Sequence, residues 1–372
     1  MTTNTGMKSV LTPNWRHVGA FLGLTFGLTC LLDLAIYLRG GLRIPGIIAT
    51  LQLQMLLPAF SAIVLGLFFF RESPLYYKRP AGRGRWFYYY YLLVSVIYAL
   101  GVLALWLAPS QRLIAILSTI PLILAVLGLV VLIALRIAAG REAMARVWLS
   151  WGNWRYWLVF ALAIVAFYIL QAALNAVTGL GGKSLAALPI PQGMSPGLFL
   201  ALGALQSVVL APILAILIGF GEEFGWRGYL QSELFKMGRV RGVLLLGAIW
   251  AAWHWPLILM GYNYPGYPLL GLLLMVLFTT GLAVVLGYAV LRSGSVLLAA
   301  FLHALVDQVL SFLSAIGFRP HNPVFSFYIG IYGILTLAIV AFFILRDPIW
   351  KGKGSSLNRP EEVELAEEKA AA

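Results

Sequence analysis

Between Arg112 and Arg136 the chain runs for 23 residues without a charged side chain. As a helix such a run is about 35 Å long at 1.5 Å per residue, enough to cross the ~30 Å hydrocarbon core of a bilayer. It has no polar face to turn to water. In lipid its backbone groups must be satisfied within the segment, so a single run of this kind has to be helical. Apolar runs recur along the chain, over roughly 17–38, 46–70, 86–108, 112–136, 155–177, 198–220, 242–260, 268–291, 296–317 and 324–345. The expected fold is all-α: a polytopic membrane helix bundle of about ten transmembrane helices.

Composition excludes a water-soluble globule. Only 10% of the 372 residues are charged and 61% are hydrophobic, with mean hydropathy +0.91. Soluble domains carry about 25% charged residues. The net charge of +13 is not gathered into a patch or stripe, so no nucleic-acid partner is expected. The single cysteine, Cys30, rules out an internal disulfide. The first apolar run is too long for a signal-peptide core and lacks a clear small-residue cleavage site, so it reads as a first span. A polar, acidic segment, 347–372, follows the last run.

With the N-terminus placed in the cytosol, cytosolic segments hold 21 Lys and Arg. The other side holds five: Arg39, Arg43, Arg112, Lys183 and Arg319. That asymmetry puts both termini in the cytosol. The stretch 85–92, "RWFYYYYL", reads as an aromatic belt at the cytosolic interface. The short basic loops suit a prokaryotic plasma membrane, with lipid as the surrounding partner.

Ionisable groups inside spans are costly, and they mark function or a specific structural pairing. Of thirteen acids, four fall in or beside spans: Asp33, Glu222, Glu223 and Asp307. Of four histidines, His254 and His303 lie well inside spans, His17 starts the first span and His321 sits in an outer loop. The polar groups thus collect at 222–227, 254 and 303–307, with Asp33 apart. Asp33 is expected to partner another span's polar group or to line a cavity.

In "EEFGWR" Glu223 and Arg227 are i and i+4 and able to pair, which leaves Glu222 pointing about 100° away and available. The plain alternative is a helix end with interfacial charges. In "WAAWHWP" His254 lies roughly 18 Å into its span at 1.5 Å per residue, among Trp250, Trp253 and Trp255. The plain alternative is a packed, hydrogen-bonded histidine. In "FLHALVDQ" His303 and Asp307 share a helix face, so the carboxylate can orient the ring. The plain alternative is a local helical hydrogen bond. Three spans with few rival polar groups satisfy them most cheaply by meeting in one cavity.

A carboxylate with imidazoles in a partly dry site suits water activation. Glu222 would take a proton from water and deliver it to a leaving amine. His254 would help hold the water, and His303 and Asp307 would face a developing oxyanion. The alternative is a divalent metal such as zinc on Glu222, His254 and His303. No "HExxH" occurs, so that option rests on residue types alone.

The order Glu222-Glu223-Phe-Gly-Trp-Arg227, Trp250-Ala-Ala-Trp-His254 and His303-Ala-Leu-Val-Asp307 resembles the CAAX-protease and bacteriocin-processing (Abi) family of intramembrane endopeptidases, which includes the Ras-converting CAAX endopeptidase. The resemblance covers about residues 200–310. It implies a catalytic core within 179–346, with N-terminal helices over 1–178 of unrecognised role. It implies that Glu222 activates water with His254 beside it, and that His303 and Asp307 bind the oxyanion. Glu223, Arg227 and Trp250 would be structural. The family has been described both as metalloproteases and as metal-independent glutamate proteases, so it implies no particular cofactor. It implies a peptide or protein substrate, prenylated in the CAAX-type case and presented from the cytosol. Trp250 replaces the usual Phe, and Asp307 stands where eukaryotic-type enzymes have Asn. A charged Asp repels an oxyanion, so Asp307 is expected to be protonated or turned toward His303 or a metal.

The sixth run ends near residue 220, which leaves Glu222 at the membrane edge, away from the histidines. The one-site reading therefore predicts that this helix continues to about Phe235, with its glutamates in a polar cavity open to the cytosol. Two other classes remain: a non-catalytic scaffold or immunity protein of the same fold, and a proton-coupled transporter. Against the transporter, no internal repeat is evident.

Overall fold

The computed structural model describes residues 12–79, 82–180, 190–315, 322–354 and 357; His321, Lys183, Arg319 and most of the acidic tail lie outside them. Among the described residues all regular structure is helical. Among these residues nine helices are long and apolar enough to cross a membrane. They are α1 (Trp15–Leu38), α2 (Ile47–Phe69), α3 (Arg83–Leu107), α4 (Gln111–Arg146), α5 (Trp154–Thr178), α6 (Pro196–Leu214), α8 (Arg239–Leu259), α9 (Pro268–Ser293) and α10 (Val296–Leu313). Two more helical segments complete the bundle: α7 (216–234) and the shorter α11 (Ile331–Leu345).

Local chemistry sets many of the ends. The side chains of Asn14, Ser110, Asn153 and Ser195 each accept a backbone N–H from the first turn of the helix they precede. Within α4 the backbone turns at Gly140, whose φ of 82° suits glycine.

The expected ten spans differ from this in two places. The run 198–220 is two helices, because the chain bends at Ala215 and α7 begins at Ile216. The run 324–345 is helical only from Ile331. Average hydropathy registers apolar length and is blind to a bend inside it.

As expected, the helix carrying the glutamates continues past them. It runs as Ile216–Glu223, widens into a π turn over Phe224–Leu230 and finishes over Gln231–Leu234. Every residue from Gly219 to Ser232 is buried. Hydropathy reads this stretch as a boundary, but it faces protein. Glycines allow that enclosure. A Cβ on Gly225 would meet the Pro58 backbone of α2 at 2.6 Å, and one on Gly219 would collide with the Ala300 carbonyl of α10. The first half of the chain is thus packed directly on the helix that carries the acids.

The two ends of the bundle are distinct. At one end Asn14 donates its N–H to Glu233 at 2.9 Å, Arg239 Nε donates to the Gly354 carbonyl at 2.9 Å, and Arg292 pairs with Asp347. The described loops rich in Lys and Arg lie at this basic end. At the other end Arg39 donates to the Trp106 carbonyl at 2.7 Å, and Tyr264 donates to the Ile329 carbonyl at 2.8 Å.

Candidate active site

α7, α8 and α10 each bring one of the three motifs to a common pocket, and α2 closes its side. The cavity is about 110 Å³, room for several waters. Its polar lining comprises Gln54, Glu222, His254, Asn263, His303 and Asp307, together with tyrosine and threonine hydroxyls.

At its closed end sits a connected set of charges. Glu223 Oε1 accepts from Arg227 Nη1 at 3.0 Å and stands 2.7 Å from His303 Nδ1. Both side chains of the Glu223–Arg227 pair are fully buried. An oxygen already accepting from a guanidinium is a carboxylate oxygen, so the His303 Nδ1 proton points at it. The guanidinium also lies over the Trp250 ring, 4.0 Å from its centroid, a buried cation–π contact.

Glu222 faces the cavity. Its Oε2 accepts the Trp250 indole N–H at 2.8 Å, and its Oε1 is 3.8 Å from His303 Nε2. That gap is too long for a direct hydrogen bond, yet one water fits within reach of both atoms. His254 lines the same cavity. Its Nδ1 lies 2.9 Å from the Trp250 carbonyl, which can only accept, so that nitrogen carries a proton and Nε2 is left as the ring's lone-pair site. Asp307 Oδ2 is 3.9 Å from His303 Nε2, and its side chain is 48% exposed.

Two assignments change. The i,i+4 spacing suggested Asp307 as the carboxylate that orients His303, but the close partner of that ring is Glu223, from another helix. Glu222 was expected to be free; half of its carboxylate is engaged by Trp250, expected only as a structural residue near the site. A buried indole N–H needs an acceptor, and that requirement was the signal for the contact. Nothing in the sequence pointed to Gln54, Asn263 or Tyr328 as lining residues. Asp33 is buried next to Gln54, one layer behind the cavity.

Among the described residues no three His, Cys, Asp or Glu side chains stand where they would hold one ion. His303 Nδ1 is turned to Glu223, which leaves Nε2 toward the cavity, and an indole N–H is directed at the Glu222 carboxylate.

Residues 204–309 match the family model described as Rce1-like, the type II CAAX prenyl endopeptidases. The matched segment spans all three motifs, and it begins within α6 and ends within α10. No curated protein and no solved structure matches the chain. With nine helices among the described residues able to cross a bilayer, and a match to a family of membrane endopeptidases within them, the chain is an integral membrane protein.

Proposed function

We propose that this protein is an intramembrane endopeptidase that cleaves a membrane-associated protein or peptide with a water activated by Glu222. The observation that carries this reading is Glu222 Oε1 facing His303 Nε2 at 3.8 Å across a protein-walled cavity. The match of 204–309 to a family of endopeptidases supports it.

The chemistry follows from the geometry. Trp250 fixes Oε2, so Oε1 is presented to a water. The water oxygen attacks the scissile carbonyl carbon while Glu222 takes its proton. His254 Nε2 accepts the second water hydrogen and sets the angle of attack. The carbonyl oxygen gains the negative charge. In its doubly protonated form His303 donates Nε2–H to that oxygen while Glu223 holds Nδ1–H, so the donor is fixed before charge develops. Glu222 then passes its proton to the leaving nitrogen, and the C–N bond breaks to give an acid and an amine. Asp307, at the exposed rim, accepts an N–H of the incoming chain. A prokaryotic plasma membrane suits the short loops.

The test is cleavage of a peptide library, prenylated and unprenylated, by purified protein in lipid, with Glu222→Gln as control. Wild-type products absent from the variant support the reading. No cleavage of any peptide by the wild type leaves a membrane scaffold of the same fold.

A further inference from the structure

The pocket opens at the end of the bundle away from the basic loops. Its partly exposed lining residues include His254, Tyr262, Asn263, Asp307 and Tyr328. His254 is five residues before Leu259, where α8 ends, and Tyr262 and Asn263 lie just beyond that end. Tyr328 sits in the segment that Tyr264 ties down through the Ile329 carbonyl. Tyr262, Asn263 and Tyr328 belong to the end where Arg39 and Arg43 are found, not to the end of Arg239 and Arg292; His254 lies just inside that end, and Asp307 lies near the middle of α10.

Toward the basic end the pocket is sealed. Glu222 and Glu223 are followed by buried residues through Ser232, which is roughly 13 Å of helix. Alongside it, 282–287 of α9 and 296–306 of α10 are buried as well. Trp226, Arg227 and Gln231 are fully enclosed within this plug. A peptide cannot reach Glu222 from that side without dismantling the core.

Asn14 and residues 347–354 lie at the basic end, so termini in the cytosol and a cavity open to the cytosol are incompatible in this fold. Loop Lys and Arg decide orientation, and they place the basic end in the cytosol. We propose that the site is entered from the face of the membrane opposite the cytosol. Its substrate is then an exported peptide, or the outer juxtamembrane segment of a membrane protein, and not a cytosolic tail. The peptide chemistry rests on the function proposed above; the direction of access does not.

Cysteine accessibility tests this in the full chain with Cys30→Ser as background. Tyr267→Cys reports the pocket end, Lys351→Cys the basic end, and Asn263→Cys and Asp307→Cys the pocket itself. A membrane-impermeant maleimide is applied to intact cells and, separately, to detergent-solubilised protein. The expected result is labelling of Tyr267→Cys, Asn263→Cys and Asp307→Cys in intact cells, with Lys351→Cys labelled only after solubilisation. Labelling of Lys351→Cys alone in intact cells overturns the proposal. So does labelling of Tyr267→Cys without either pocket position, when both of those label in detergent. No step reads cleavage, so an inactive protein with this pattern loses the peptidase reading alone, and an active one with the reverse pattern loses this inference alone.

Discussion

Glu223 and His303, 80 residues apart in sequence, meet with 2.7 Å between Oε1 and Nδ1 in a buried contact between α7 and α10. The same oxygen holds Arg227, so one carboxylate fixes both the helix that carries the acids and the ring that faces the cavity. Removing it strands a buried cation. Glu223→Ala is expected to destabilise the protein by about 3–5 kcal/mol, the range for breaking a buried ion pair. Thermal unfolding in detergent measures this, and Glu223→Gln, which still accepts a hydrogen bond, should lose less.

Glu222 calls for the opposite signature. Glu222→Gln keeps an oxygen for the Trp250 N–H but removes the base. Cleavage should fall by about 10²–10⁴-fold, as for loss of a general base, with little change in melting temperature. A large drop in melting temperature would instead make Glu222 a structural residue.

Trp250→Phe separates two contributions of one side chain. The phenyl ring still covers Arg227, while the hydrogen bond to Glu222 is lost. A hydrogen bond to a charged group contributes about 1.5–3 kcal/mol, so a fall in kcat of roughly ten- to a hundredfold is expected. A kcat unchanged from wild type would show that Glu222 holds its position without the indole.

Chelation addresses the ligand geometry. Because no three candidate ligands converge among the described residues, cleavage is expected to persist in excess EDTA while remaining sensitive to Glu222→Gln. Activity lost in EDTA and restored by zinc would mean that the site rearranges around an ion.

Gly225 tests the enclosure of α7. A Cβ there lies 2.6 Å from the Pro58 backbone, and backbone cannot swing aside as a side chain can. Gly225→Ala should cost about 1–3 kcal/mol, the range for overpacking a dense core. A melting temperature equal to wild type would show that α2 and α7 can separate without loss.

Periodicity and composition were sufficient for much of this protein. Uncharged runs such as 113–135 force helices in lipid, because no other local structure satisfies the backbone there. The spacing of Glu223 and Arg227 put them within reach on one helix, and the scarcity of charge elsewhere made Glu222, His254, His303 and Asp307 conspicuous. Tertiary structure decided the rest. Ala215 bends within an apolar run, and a stretch with two glutamates and an arginine is enclosed by α2 and α10; hydropathy cannot distinguish protein from water as the neighbour of a polar helix. Which carboxylate orients His303, which indole holds Glu222, and which end of the bundle the pocket opens toward all depend on contacts between helices far apart in sequence. Local sequence carries a residue's chemistry and its place on a helix face. The neighbour that face meets is set only when the helices pack.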